Sequence, residues 1–472
     1  MGCINVHEVV DKAKFNSFHA KVLTWCLLLM CIDGYDIVVT GAALPSIMKD
    51  MSVEPSTAGF MVSSVFFGMM FGAMLLGSLS DKIGRRRTIS ICVFLYSVFT
   101  AAAGLTHDPV TFSGARFIAG LGIGGVIPNI VAQMTEYSPR RIRSLLTTMM
   151  FSGYSIGGIL AAMLGKQFIA EFGWQIVFFA AGTPVILIPF MLKSMPESLP
   201  FLISRKDDTH LRGIVGRIHP QGILKSDDTF LRPHQDRAAR VPVVKLFEGG
   251  RGVSTIMFWI ACFAGLFMVY ALSTWLTKLM AMSGYSLGSA LNFLVALNVG
   301  AIIGAIGGGW LADRFHIKWV LVCMYALGGV FLYAMTFKTP IEMRYAIVAI
   351  VGACTTGAQL IAFTYCGQFY PAPIRSTGVG MALGIGRLGA IAAPVLIGLI
   401  VSLKLPLELN FLAIGVAGIM GALALACINH RLPMSGQATL ITPQSPMAAG
   451  ADSSPASRIE GYELISKDAS PR

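Results

Sequence analysis

Apolar residues in this chain come in long unbroken runs. They show neither the strict alternation of a half-buried strand nor the three-to-four spacing of a surface helix. A helix rises about 1.5 Å per residue, so about 20 apolar residues cross a hydrocarbon core of roughly 30 Å. Twelve runs of that length are read, at roughly 22–46, 57–79, 88–106, 110–135, 145–165, 174–193, 253–277, 287–311, 319–337, 343–367, 378–401 and 408–429. Lipid offers a backbone N–H or C=O no partner, so each run is predicted to be a helix. The expected fold class is an all-α membrane protein with twelve transmembrane helices. Polar stretches divide it into a short N-terminal segment (1–21), a first set of six spans (22–193), a linker (194–252), a second set of six (253–430) and a Ser/Pro/Ala-rich tail (431–472) with the composition of a disordered segment.

Composition agrees with lipid as the partner of most of the surface. Hydrophobic residues make up 55% and charged residues only 13% of the 472, with mean hydropathy +0.69; soluble domains carry roughly 25% charged residues. The 51 glycines suit helices that pack closely in a bilayer. The net charge of +12 is explained by its distribution. If the N-terminus is cytoplasmic, Lys49, Lys166, Lys278, Lys338, Arg344 and Lys404 are external and Arg116 and Arg387 lie in the membrane. The other Lys and Arg are then internal, and the positive-inside rule places both termini in the cytoplasm. No nucleic-acid partner is therefore needed to account for the charge. The nine cysteines are scattered and form no C-x-x-C pair, so reduced thiols, no metal site and no cofactor are expected.

The two sets of spans match at a constant offset of 232. GSLSDKIG at 77–84 aligns with GWLADRFH at 309–316, and YSPRRIRS at 137–144 with FYPAPIRS at 369–376. This predicts two six-helix bundles in parallel repeat, related by a pseudo-two-fold axis along the membrane normal, with a central site between them. The linker, with seven acidic and ten basic residues, reads as a solvated tether.

Two carboxylates stand where lipid should exclude them: Asp33 and Asp36, in LLLMCIDGYDIVV. An ionisable group at bilayer depth costs about 2.5–3.5 kcal/mol or more, so it faces a protein interior or a polar path and marks substrate or proton movement. Three residues apart, the pair lies near one helix face. Counted from Lys21, Asp33 is about 18 Å deep and Asp36 about 4–5 Å further on. By the same count Arg116 falls near the height of Asp36, as a candidate partner, and Arg387 near that of Asp33. The alternative role for either aspartate is an ion pair that holds helices together.

Gly77-x-Leu79-x-Asp81-Lys82-x-Gly84-Arg85-Arg86 between spans 2 and 3, with Arg116-x-x-x-Gly120-x-Gly122-x-Gly124 in span 4, resembles the major facilitator superfamily over about residues 20–430. Within it, DGYD at 33–36 is similar to the D-G-x-D of aromatic acid:proton symporters, and NVHEVVDKAKFNSFH at 5–19 looks most like the benzoate symporters among them. The resemblance implies import of an aromatic carboxylate with protons through an inner membrane, by a monomer. Asp33, Asp36 and Arg116 would then couple the proton. Arg387 would take the substrate carboxylate, because guanidinium matches it bidentately. Tyr35, Tyr154 and Tyr365, with Phe66, Phe67, Tyr270 and Trp275, could wall an aromatic ring, and Asn129, Asn298 and Gln359 could hydrogen-bond it; each could equally pack or bridge helices.

The loop motif implies a gate. Gly77 and Gly84 would allow close packing and a tight turn, and Asp81 would pair with Arg85 or Arg143 when the cytoplasmic side is shut. Glu136, Arg143 and Arg375 end spans 4 and 10 as further partner charges. In the second copy Asp313 and Arg314 persist, but His316 replaces the glycine, so a weaker lock is expected there. Pro196-Glu197-Ser198 resembles a sugar-porter motif and keeps a sugar substrate open, although a neutral sugar needs no buried cation. Drug export and a transporter-like nutrient sensor are further alternatives. No His or Cys cluster within the spans supports an enzyme.

Overall fold

The computed structural model describes residues 3–4, 6–205, 207–218, 229–230, 243–337 and 339–429. The tail at 431–472, Lys338 and part of the linker fall outside these residues. Among the described residues eleven helices are long and apolar enough to span a membrane: Ser17–Asp50 (span 1), Pro55–Ile83 (span 2), Pro109–Tyr137 (span 4), Arg143–Phe172 (span 5), Gln175–Ser194 (span 6), Gly252–Met282 (span 7), Leu287–Arg314 (span 8), Ile317–Ala334 (span 9), Ile341–Phe369 (span 10), Thr377–Ser402 (span 11) and Glu408–Cys427 (span 12). The twelfth, span 3 (Arg85–Ala103), opens on three arginines, which dilute its apolar run.

Helix ends follow local chemistry. Asn16 caps span 1: its side chain accepts from Phe18 N at 3.1 Å and His19 N at 3.3 Å, while His19 Nδ1 accepts from Asn16 N at 3.2 Å. Asp108 caps span 4 with Pro109 at the first helical position. Bonds from the Thr111 hydroxyl and backbone N–H hold the Asp108 carboxyl below its usual range. Gly84 joins spans 2 and 3 at φ +93°, a conformation that L side chains avoid.

Glycines set the helix spacing, and they do so twice. A Cβ on Gly68 would lie 2.1 Å from the Phe117 carbonyl oxygen, and one on Gly300 1.8 Å from that of Ala349. Gly72 meets Leu121 O at 2.1 Å as Gly304 meets Ala353 O at 2.4 Å; Gly120 meets Val65 O at 2.2 Å as Gly352 meets Leu297 O at 1.9 Å. These three contacts between spans 2 and 4 therefore recur between spans 8 and 10 at the same offset of 232. Arg143 Nε donates to Ser138 O and Arg375 Nε to Tyr370 O, both at 3.3 Å, which is the same bond in each copy. Gly77, by contrast, has open space where its Cβ would be, so it is not a packing glycine here.

The described parts of the linker are not a free tether. They include helices Leu199–Arg205 and Asp208–Ile218. Cys3–Ile4 pairs in parallel with Thr229–Phe230. Asn16 Nδ2, the far side of the span 1 cap, donates to Arg217 O at 2.9 Å and Ile218 O at 3.1 Å. The N-terminal helix Val6–Lys12 buries Val6 and Val10.

Contacts between spans 1–6 and spans 7–12 cluster from mid-membrane toward the face opposite the linker. Gly41 packs on Ser273, Gly59 on Pro394, Gly398 on Pro55 and Gly158 on Asn298. Ser63 Oγ donates to Ile391 O at 2.8 Å, and Lys166 Nζ to Asn292 Oδ1 at 3.1 Å. The face opposite the linker is closed in this conformation.

Candidate transport site

Asp36 and Arg116 are brought together in the core of the first half, each about 1% exposed. Arg116 Nη1 donates to both carboxylate oxygens, at 3.1 and 3.0 Å, and Nη2 donates to the Asp36 carbonyl at 3.1 Å. Thr100 of span 3 completes the group. Its hydroxyl donates to Asp36 Oδ1 and accepts from Arg116 Nη1 at 2.8 Å. The guanidinium also lies over Phe178, 5.8 Å from the ring centre.

Asp33 sits at the middle of span 1 in a different setting. It is fully buried, yet neither carboxylate oxygen has a hydrogen-bond partner among the described residues. Asp36 and the Arg387 guanidinium are within its electrostatic reach, as are Tyr154 and Tyr270. Arg387 is partly buried and donates from Nη1 to Met69 O at 2.7 Å, across the seam between spans 11 and 2. Phe66 lies against Tyr270 with ring centres 4.5 Å apart. Spans 1, 2, 5, 7 and 11 thus place one bare carboxyl, one cation and three aromatic rings at mid-membrane between the halves. Tyr154 is one of the lining residues expected from sequence, whereas Phe66 and Tyr270 stand out there only as members of a long roll of aromatics.

Other expected lining residues sit elsewhere. The Tyr35 hydroxyl donates to Val177 O at 3.0 Å, inside the first half. Asn129 and Asn298 donate to carbonyls one turn back on their own helices, Gly125 and Leu294. Gln359 accepts from the Tyr325 hydroxyl at 2.9 Å and bridges helices of the second half. Tyr365 packs on Phe258, 5.0 Å between ring centres, toward the linker face. Gly34 abuts the Tyr154 backbone, where a Cβ would lie 2.0 Å from the carbonyl oxygen, so its lack of a side chain serves helix packing.

The gate residues are paired differently from expectation. Asp81 is exposed and has neither Arg85 nor Arg143 as a partner. Arg85 is bound to Glu136, and Arg143 to Asp11 of the N-terminal helix. With the opposite face closed, the pairs expected of a shut linker face have no reason to form. Asp313 and Arg314 are exposed, Arg314 over the Trp310 ring at 5.6 Å. Sequence reading missed Glu197 as part of this region, although Pro196-Glu197-Ser198 had signalled it. Its carboxylate accepts from Arg86 N at 3.1 Å and Ser198 N at 3.0 Å, which caps the start of span 3.

A twelve-helix bundle built as a repeat, with a polar site at mid-depth between halves, defines a secondary transporter. A family model described as Major Facilitator Superfamily matches residues 26–308. The chain is 41% identical over 434 residues to a benzoate transport protein of Acinetobacter baylyi, covering 91% of this chain and 93% of that one. It is 33% identical to a gentisate transporter of Corynebacterium glutamicum, covering 87% of each. Among solved structures it resembles a partially occluded inward-open xylose transporter from E. coli, with TM-score 0.67 and 19% identity over 87% of this chain and 97% of the other. The chain belongs to the Major Facilitator Superfamily and, within it, to the family of its two sequence relatives.

Proposed function

We propose that this protein imports an aromatic carboxylate, benzoate or a hydroxybenzoate, together with protons. It works in the cytoplasmic (inner) membrane with both termini inside, as a monomer. Bundles 22–193 and 253–430, joined by the linker 194–252, rock against each other around the central site. In this reading the linker face is cytoplasmic and the conformation described above faces inward.

The observation that carries the reading is Asp33: a fully buried carboxyl without a hydrogen-bond partner among the described residues, within reach of an arginine and two tyrosines. An ionised carboxylate left bare at this depth is costly, and its cost falls if it takes a proton. A substrate carboxylate arriving at Arg387 weakens the cation's hold on Asp33 and favours that proton. The flat ring fits against Phe66 and Tyr270. Binding of anion and proton thus become linked through Arg387. Asp36 is fully engaged by Arg116 and Thr100, so of the two aspartates Asp33 is the carrier. The relatives' names, a benzoate and a gentisate transporter, support an aromatic acid over a sugar. The likeness to a xylose transporter bears on fold alone.

The test is uptake of labelled benzoate, 4-hydroxybenzoate and glucose by proteoliposomes under an imposed inward proton gradient. Concentrative uptake of an aromatic acid that collapses with a protonophore is expected. Glucose accumulation, or aromatic-acid flux indifferent to the gradient, would refute the proposal.

A further inference from the structure

We infer that Tyr154 is a specificity-determining residue of the site: its hydroxyl donates a hydrogen bond to the substrate carboxylate held at Arg387. The inference rests on the proposed aromatic-carboxylate reading and supplies that site with a second donor. The Tyr154 hydroxyl is buried and has no hydrogen-bond partner among the described residues. Protein interiors rarely keep a polar group in that condition, and each case asks for a reason. Asp33 and Tyr270 stand close enough to act on it electrostatically, and Arg387 acts on both of them in turn. The unspent hydroxyl proton thus lies among the groups of the mid-membrane site.

Backbone packing fixes where this hydroxyl sits. Spans 1 and 5 meet through glycine: a Cβ on Gly34 would lie 2.0 Å from Tyr154 O, and one on Gly157 1.8 Å from Cys31 O. Helices packed this closely do not slide against each other without a clash. Tyr154 therefore keeps its height beside Gly34, the chain neighbour of Asp33. The Tyr270 hydroxyl of span 7 approaches that of Tyr154 across the seam, yet the two do not meet hydrogen-bond geometry. A carboxylate between Tyr154 and Arg387 would accept from the first half and from the second at once.

The need for a second donor follows from how Arg387 is held. Its Nη1 already donates to Met69 O at 2.7 Å, so the guanidinium is pinned on one side. A carboxylate has about four acceptor positions, and a planar guanidinium reaches only those on the side that it faces. The others are buried unpaired, at a cost, unless a further donor faces them. Other polar side chains near mid-membrane are spent or lie elsewhere. The Tyr35 hydroxyl donates to Val177 O, and Asn129 and Asn298 donate to carbonyls of their own helices. Trp275 Nε1 also lacks a partner among the described residues, but its ring lies against Gly398 in the closed seam. Tyr270 packs on Phe66 and walls the substrate ring. Tyr154 is left as the donor.

Thermal unfolding and calorimetry of the purified full chain test the proposal, with Tyr154→Phe beside the parent. Without ligand the variant should unfold at the parent's temperature or slightly above it, because the hydroxyl it lacks bonded nothing. Its affinity for benzoate should fall about tenfold or more, the worth of one hydrogen bond to a charged group. For 2-hydroxybenzoate the loss should be smaller, since that ligand's own hydroxyl donates to its carboxylate and stands in for the missing donor. Equal losses for the two ligands would overturn the proposal, because the acceptor is then not the carboxylate. A lower unfolding temperature in the empty variant would overturn it too, since that marks a bond to another helix. If Tyr154→Phe is not recovered folded, Tyr154→Met, which also lacks a donor, is measured with the same expectations for affinity. A parent that binds neither ligand overturns the aromatic-carboxylate reading and the role of Tyr154 with it. A parent that binds benzoate no better than Tyr154→Phe does overturns the role of Tyr154 alone.

Discussion

At the residue scale, two aspartates one turn apart have opposite surroundings, and the proposed function gives them different roles. Asp33→Asn should abolish accumulation against a gradient, because a neutral amide carries no proton. Exchange of labelled for unlabelled benzoate should survive, and full concentrative uptake by this variant would refute Asp33 as the carrier. Arg116→Ala leaves the Asp36 carboxylate buried without its cation, a loss of roughly 3–5 kcal/mol for one partner of a buried pair. It should lower the unfolding temperature far more than Asp33→Asn does. Arg387→Ala should weaken benzoate binding by about two orders of magnitude or more, as measured by calorimetry, with Lys rescuing only part of the loss. Benzoate binding unchanged in Arg387→Ala would mean that the carboxylate is held elsewhere.

At the element scale, the described parts of the N-terminal segment and linker pack on each other and on the first half. Asn16 does double duty, as the cap of span 1 and as a donor to the last carbonyls of helix Asp208–Ile218. The Asp11–Arg143 pair is more than a third exposed on both sides, so it contributes at most about 1 kcal/mol. Burial of Val6 and Val10 contributes more, about 1.5–3 kcal/mol for each fully buried side chain. Deletion of residues 1–12 should therefore speed proteolysis at 199–218, whereas Asp11→Asn should have little effect. Equal protease resistance in the deletion and the parent would show that the segment holds nothing in place. The sequence marked 1–21 and 194–252 as polar, but polarity alone could not show that they pack on each other.

At the scale of the whole molecule, the halves close on glycine against backbone. A Cβ on Gly59 would lie 2.5 Å from Pro394 O. Gly59→Leu should thus obstruct closure of the face opposite the linker and favour the opposite conformation. Cysteine accessibility from the two sides should reverse, and an unchanged pattern would place the seam elsewhere. Asp81 has no ion-pair partner among the described residues in this conformation, so Asp81→Asn should leave it intact and raise its share relative to the alternative. A fall in its share would show that Asp81 supports this state after all.

Sequence alone determined the twelve crossings, because a backbone in lipid must bond to itself. It determined the repeat, since residues such as Gly77 and Gly309, or Arg143 and Arg375, recur at one offset. It also singled out Asp33, Asp36, Arg116 and Arg387, because charge in an apolar run needs a reason. Helical rise even set Asp36 and Arg116 at one height. Height, however, says nothing about direction around a helix. Only the tertiary structure decided that Asp36 turns to Arg116 and Thr100 while Asp33 turns to the seam. Only packing sent Tyr35, Asn129 and Tyr365 into helix interfaces and brought Phe66 to Tyr270. Uncharged side chains cost little in either place, so their position depends on how glycines let twelve helices approach, and no local pattern records that.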